Sequence, residues 1–124
     1  DLYTTATGAM SLAYASDQEI DEIVKRDGLP CGLTLWKEVN SREDFDRARQ
    51  KIRDDKSLIY GGPRENRLAI VAFPVFQNGR YIAVVGASVP QNSFHGEHKD
   101  EVIREVQAAT DKLNQRISHI ASIG

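Results

Sequence analysis

The sequence has little of what several classes of protein require. Cys31 is the only cysteine, so an internal disulfide is excluded, and such usage is typical of a reducing compartment. The 16 basic and 18 acidic residues give a net charge of −2, whereas nucleic-acid surfaces need a clustered basic excess. No apolar run approaches the roughly 20 residues that span a bilayer, and no signal peptide is visible. We therefore expect a cytoplasmic protein without a membrane partner.

Motifs that carry catalysis or hold cofactors are also missing. Residues 95–98, HGEH, are explained by capping at a helix start, and no third metal ligand follows at a recognised spacing. Residues 86–90, GASVP, lack the second glycine of a nucleophile elbow. Residues 61–64, GGPR, have neither the lysine of a phosphate loop nor the spacing of a dinucleotide motif. We predict no catalytic residue, no metal and no cofactor.

The length of 124 residues indicates one domain that buries about two-thirds of its unfolded surface. The sequence begins with Asp1 in place of an initiator methionine. We therefore expect it to be a fragment of a longer chain.

The most informative stretch is residues 67–89, where two apolar runs are joined by Gln77-Asn78-Gly79. Asn-Gly between apolar runs predicts a tight hairpin, because both residues tolerate a positive φ. Each run is apolar on both faces of its pleat, so we expect these strands in the middle of a sheet.

The register of this hairpin decides which residues share a face. A two-residue loop places Gly86 and Ser88 on the face of Ala69. A three-residue loop with a glycine bulge places them with Leu68 and Ile70 instead. The residues alone leave both registers open.

Helix signals surround the hairpin. Thr5 or Thr7 is predicted to cap a short helix, and the capping box at Ser16 starts a second helix that ends at Gly28. A third helix is expected at about residues 42–56. A long helix is expected at residues 98–120, with the apolar stripe Val102, Val106, Leu113, Ile117 and Ile120.

The order of elements predicts an α+β domain with an antiparallel sheet flanked by helices. One brief strand, residues 58–60, precedes the hairpin and is expected to stop at the Gly-Gly-Pro that follows. Two long strands and one short strand leave an apolar edge open. We expect further strands from residues upstream of Asp1 or from another subunit.

Three segments resemble IclR-type bacterial transcription regulators. Residues 5–9, TATGA, resemble the segment HATALGKALLA or HASGAGKA of that family. Residues 41–60 resemble its DPEELRAELERIRRQGYA stretch, and residues 68–90 resemble RCIAAPVFDADGRVVGALSVSGP, followed by a terminal helix. The resemblance runs along essentially the whole chain in the same order.

This resemblance implies a GAF-like effector-binding domain, of which residues 1–124 are the later two-thirds. The winged helix-turn-helix that binds DNA and the first strands are absent. The implied function is sensing a small organic acid or aromatic metabolite, with DNA bound only through the missing domain. The implied partners are this small-molecule effector and other copies of the chain in a dimer or tetramer, and no cofactor is implied.

The resemblance also implies a ligand site at eight positions: Thr7, Gly8, Ala9, Tyr60, Leu68, Ile70, Gly86 and Ser88. Backbone N–H groups near Gly8 and Ala9 would hold an acidic group, Ser88 and Tyr60 would donate or accept hydrogen bonds, and two apolar residues would form a wall. Grouping these positions on one face favours the three-residue bulged turn. Gly86 lies where a serine is common, and Tyr60 where an acidic residue can occur, which suits a bulkier or less polar effector.

Two other functions stay open from the residues. One is a small enzyme that uses the same cavity, for which only His95, His98 and His119 are candidate bases. The other is a dimerisation module with a filled core.

Overall fold

The computed structural model describes residues 2–61 and 68–123, and these divide into two compact units, Asp1–Lys56 and Ser57–Gly124. The described residues form four α-helices and one three-stranded antiparallel sheet, which confirms the α+β class. No helix in these ranges combines the length and apolar character needed to cross a membrane.

In the first unit, α1 spans Ala6–Tyr14. Thr5 is its N-cap, because the Thr5 Oγ1 accepts a hydrogen bond from the N–H of Gly8 at 3.0 Å. This decides between the two caps that were predicted. The buried residues of α1 are Gly8, Ala9, Met10, Leu12 and Ala13.

The next two helices both begin at serine side-chain caps. α2 spans Asp17–Asp27, and its capping box is complete: the N–H of Glu19 donates to Ser16 Oγ, and the N–H of Ser16 donates to Glu19 Oε1. α3 spans Arg42–Asp55, and the side chain of Ser41 caps it. Both starts agree with the sequence because capping depends on residues only three positions apart.

Two arginines of α3 cover the C-terminal end of α1. Arg49 Nε donates to the carbonyl of Leu12 at 2.8 Å, and Arg49 Nη2 donates to that of Ala15 at 2.7 Å. Arg53 Nη1 donates to the carbonyl of Ala13 at 2.6 Å. The last carbonyls of a helix lack partners within the helix and carry partial negative charge, so two guanidinium groups stabilise this end.

Aromatic residues hold the segment before α1 in place. Trp36 is 2% exposed, and its Nε1 donates to the carbonyl of Tyr3 at 3.0 Å. The rings of Trp36 and Phe45 meet edge to face at 5.2 Å between centroids. Tyr3 also donates its hydroxyl to the carbonyl of Gly28 at 2.6 Å. Trp36 therefore anchors this segment to the core of the first unit.

In the second unit, the sheet has the order β1-β2-β3, with β1 at Leu58–Tyr60, β2 at Leu68–Gln77 and β3 at Arg80–Pro90. The residues Gly62 and Pro63, predicted to end β1, lie outside the described residues. Within the part of the chain that the structure describes, β3 pairs with β2 only. Its outer edge is therefore unpaired there, and the origin of further strands stays a prediction.

The turn between β2 and β3 has two residues. Asn78 has φ 53° and Gly79 has φ 76°, and Gln77 pairs with Arg80 across the turn. Two successive positive φ angles are what the tight primed hairpin turn requires. The predicted three-residue turn with a bulge at Gly79 is therefore wrong.

A β-bulge lies further along β3. Phe76 pairs with Tyr81, but the next pair joins Val75 to Ala83, so Ile82 is an extra residue in β3. A bulge of this kind shifts the register of all later pairs by one residue. The bulge therefore places Gly86 and Ser88 on the face of Leu68 and Ile70, which is the grouping that the three-residue turn was predicted to produce.

The last helix, α4, spans Gly96–Ile123 and covers one face of the sheet. That face contributes a buried cluster of Ala69, Val71 and Phe73, which Phe94 joins. Partly buried residues pack against the cluster: Val89, Val102, Ile103 and Val106.

The inward stripe of α4 differs from the prediction in its second half. Leu113 is 38% exposed, whereas Thr110 is 3% exposed. Asn114 faces the sheet, and its Oδ1 accepts a hydrogen bond from the N–H of Phe76 at 2.9 Å. The side chain of Ile120 lies outside the described part of the chain. Asn114 thus takes the inward position that was predicted for Leu113, because its side chain satisfies the backbone N–H of Phe76 in β2.

Candidate ligand-binding site

The predicted site residues of the second unit lie side by side on one face of the sheet. Ile70 of β2 pairs with Tyr60 of β1 on one side and with Ser88 of β3 on the other. Residues directly opposite each other in an antiparallel pair project to the same face. This face therefore carries Tyr60, Leu68, Ile70, Gly86 and Ser88, and we call it the serine face.

The serine face is the side of the sheet opposite to the cluster that α4 covers. Val71, on the α4 side, has no exposed surface, whereas Leu68 is 47% exposed. Ile70 and Tyr60 are partly buried, and Ser88 is exposed. The face thus offers apolar area with a hydroxyl group at its edge strand.

Gly86 lies directly opposite Ala72 on the serine face. A Cβ placed on Gly86 would lie 3.2 Å from the carbonyl oxygen of Val71 and 3.5 Å from the Cβ of Ala72. The neighbouring strand would have to yield by a few tenths of an ångström to admit it. Close packing between β2 and β3 therefore accounts for a glycine here. Because Gly86 has no side chain, nothing projects from the serine face at this position.

In the first unit, two of the predicted residues, Thr7 and Gly8, line a cavity of about 670 Å³. Other residues that line it are Leu2, Ser11, Arg26 and Asp27. Nothing in the sequence singled out Arg26 and Asp27, because charges in the last turn of a helix are ordinary there.

The N–H groups of Gly8 and Ala9 are already engaged. Gly8 donates to Thr5 Oγ1 at 3.0 Å, and Ala9 donates to the carbonyl of Thr5 at 2.9 Å. The protein itself therefore uses these two N–H groups, and binding of an acidic group by N–H groups near Gly8 and Ala9 stays a prediction. Whether Thr7, Gly8 and Ala9 contact an effector in another way stays a prediction.

The glycine at position 8 has a structural cause. A Cβ on Gly8 would lie 2.4 Å from the carbonyl oxygen of Leu2 and 2.6 Å from its Cα. Real Cβ atoms do not approach backbone atoms so closely, so any larger residue here would displace the Leu2 backbone. A Gly8→Val change therefore tests the packing of this segment and not the binding of an anion.

Charged groups around the cavity form one close pair. Arg26 donates to Asp27 through Nε at 3.1 Å and through Nη2 at 2.8 Å. These hydrogen bonds lower the pKa of the Asp27 carboxyl and raise the pKa of the Arg26 guanidinium. Burial raises the pKa of the Tyr3 hydroxyl, and the nearby Asp27 carboxylate adds to that effect. All three groups therefore keep their usual ionisation at neutral pH.

In the described residues, the candidate catalytic and metal-binding side chains do not form an active site. In the described ranges, no three side chains of His, Cys, Asp or Glu are arranged to hold a metal ion. Cys31 is exposed. His95 and His98 flank the start of α4 and are exposed as well.

No family model and no curated protein sequence matches the chain. Solved structures do match. The C-terminal domain of the E. coli transcriptional regulator KdgR superposes with a TM-score of 0.67 at 24% identity, over 94% of this chain and 71% of that domain. A regulator from Rhodococcus gives a TM-score of 0.73 at 21% identity, over 96% of this chain and 48% of the other.

A regulator from Silicibacter, described as IclR-type, gives a TM-score of 0.68 at 20% identity, over 94% of this chain and 45% of the other. The fold is that of the C-terminal domain of IclR-type regulators. This chain therefore spans about half the length of the two longer regulators that it matches. At identities below 25%, these similarities establish the shared fold alone.

Proposed function

We propose that this chain is the effector-sensing part of a transcription regulator, which binds a small organic acid or aromatic metabolite on the serine face. One observation carries the proposal: three strands place Tyr60, Ile70 and Ser88 next to one another on the face that α4 leaves uncovered. The IclR-type fold adds support, because the solved structures that share it are described as transcription regulators.

The chemistry of the serine face suits such a ligand. Ligand sites are mostly apolar, with a few polar groups that fix orientation. Leu68 and Ile70 supply apolar contact, and Ser88 supplies a hydroxyl that can donate or accept. Tyr60 adds an aromatic ring with a phenolic group, which favours an effector with an aromatic or bulky apolar part.

Regulation requires that the effector distinguish two states of the assembled regulator. A ligand that binds both states equally shifts nothing, however tightly it binds. In this proposal the chain forms a homo-oligomer, a dimer or tetramer, and the effector favours one arrangement of it. DNA is then bound by another domain of the regulator.

A thermal-shift titration tests the proposal. The probes are acetate, succinate, benzoate and phenol, which separate acid from aromatic character. A probe that binds only the folded state raises the Tm, and the rise grows with the probe concentration relative to its Kd. We expect at least one probe to do so, and Ser88→Ala to weaken it about fivefold, the loss of one hydrogen bond of about 1 kcal/mol.

The matched control is Ser118→Ala, which removes the same hydroxyl from an exposed position on α4. It should bind the probe as the unchanged protein does. A Tm that rises with protein concentration but with none of the probes would instead support a dimerisation module. Conversion of a probe to product would support an enzyme.

A further inference from the structure

The cavity in the first unit has walls that are fixed without a ligand. The segment before α1 lines it and is held by two hydrogen bonds: Trp36 Nε1 donates to the Tyr3 carbonyl, and the Tyr3 hydroxyl donates to the Gly28 carbonyl. The backbone of Leu2 rests against Gly8, where no side chain intervenes. The cavity is open to solvent, and its volume of about 670 Å³ gives room for a small molecule.

Two hydroxyl groups lie along one wall. Thr7 and Ser11 are four residues apart in α1, so they lie on the same side of the helix one turn apart. Both line the cavity. In residues 2–61 and 68–123, neither hydroxyl makes a hydrogen bond to the protein. The pair is therefore available to donate and accept hydrogen bonds.

An ion pair, Arg26 with Asp27, also lines the cavity. Arg26 Nε and Nη2 donate hydrogen bonds to the two carboxylate oxygens of Asp27. In the described ranges, Arg26 Nη1 donates to no protein atom. An incoming anion would compete with a carboxylate that is already bound to the guanidinium. An uncharged hydroxyl group meets no such competition, because it can accept from Arg26 and donate to Asp27.

We propose that this cavity binds an uncharged, hydroxyl-rich small molecule, such as a polyol or a monosaccharide. The two hydroxyls of α1 contact one side of the ligand, and the Arg26–Asp27 pair contacts the other. This site lies in the first unit and uses none of the residues of the serine face.

An NMR titration of the ¹⁵N-labelled chain tests the proposal. Sorbitol, glucose and gluconate are added separately, so that an open polyol, a cyclic sugar and an acid of similar size are compared. Sorbitol or glucose should shift the amide signals of Thr7, Ser11 and Arg26 in a saturable way. Gluconate should bind at least about fivefold more weakly, the cost of about one hydrogen bond.

Variants connect the shifts to the cavity. Combining Thr7→Val with Ser11→Ala removes both hydroxyls and should weaken binding about fivefold or more. Thr4→Val removes a hydroxyl from an exposed neighbouring residue and should leave affinity unchanged. If the double variant does not fold, Asp27→Asn takes its place, because it removes the carboxylate from an exposed helix end, and the same loss is expected.

Three results would overturn the proposal: no saturable shift with sorbitol or glucose, gluconate binding as tightly as they do, or unchanged affinity in the folded double variant or in folded Asp27→Asn. None of these results bears on the serine face.

Discussion

Ser88 of β3 lies directly opposite Ile70 of β2, so the serine hydroxyl and the isoleucine side chain share one face of the sheet. This relationship requires that Ile82 stay out of the strand pairing, as the extra residue of the β-bulge. A two-residue turn without the bulge would place Ser88 opposite Ala69, on the face that α4 covers. The composition of the serine face is therefore set by one residue that lies six positions away from Ser88.

Deleting Ile82 should remove the bulge and keep the later register. Tyr81 would then be followed by Ala83, which already pairs with Val75. Ile82 is 47% exposed, so little packing is lost, and we expect a cost below about 1 kcal/mol. A nuclear Overhauser contact between the backbones of Ile70 and Ser88 should persist. Loss of this contact in a folded deletion variant would show that the bulge itself holds the register.

Removing the guanidinium of Arg49 should destabilise the first unit strongly. The Arg49 side chain is 3% exposed, and it donates to Leu12, Ala15 and Asp46. Arg49→Met leaves buried carbonyls without a donor, so we expect a loss of about 3 kcal/mol in the free energy of unfolding.

The matched change Arg53→Met removes one partly buried hydrogen bond to Ala13 and an exposed one to Gln50, and it should cost about 1 kcal/mol. Urea denaturation followed by circular dichroism measures both values. Equal costs for the two variants would mean that burial of the Arg49 guanidinium adds nothing to the stability of α1.

The capping box of α2 should make stability depend on acid pH. Hydrogen bonds from the backbone and side chain of Ser16 lower the pKa of Glu19 below its ordinary 4.5. A lowered pKa in the folded state means that the contribution is present above pH 4.5 and is lost as the pH falls through the folded-state value.

Glu19→Gln keeps an acceptor but removes the charge near the positive end of α2. The unchanged protein should therefore have the higher Tm at pH 7, and the difference should shrink toward pH 3. A difference that stays constant from pH 7 to pH 3 would assign the stabilisation to the hydrogen bond alone. Glu22→Gln, on the same helix but outside the box, is the control.

Structural features that depend on residues close together in the sequence could be predicted from it. Ser16 and Glu19 determine a helix start through their side-chain hydrogen bonds, and Asn78 and Gly79 favour a tight turn because both tolerate a positive φ; the predicted capping box and hairpin are both present. The resemblance grouped Leu68 with Ser88 correctly, although the turn invoked for it was wrong.

Features that depend on distant parts of the chain could not be predicted. The pattern of β3 does not mark Ile82 as the bulge, because any residue near the turn could be extra. The contact between Leu2 and Gly8 and the use of Arg49 by α1 both require the tertiary fold.

The central claim is that a small molecule occupies the serine face. Ile70 and Val71 are neighbours in β2 whose side chains project to opposite faces, so their methyl groups report on the two sides of the same strand. The most direct measurement is methyl NMR of the labelled chain, titrated with whichever of acetate, succinate, benzoate or phenol raises the Tm most. We predict saturable shifts and ligand contacts at the Ile70 methyls and none at Val71. Equal effects at both residues, or effects at Val71 alone, would contradict the account.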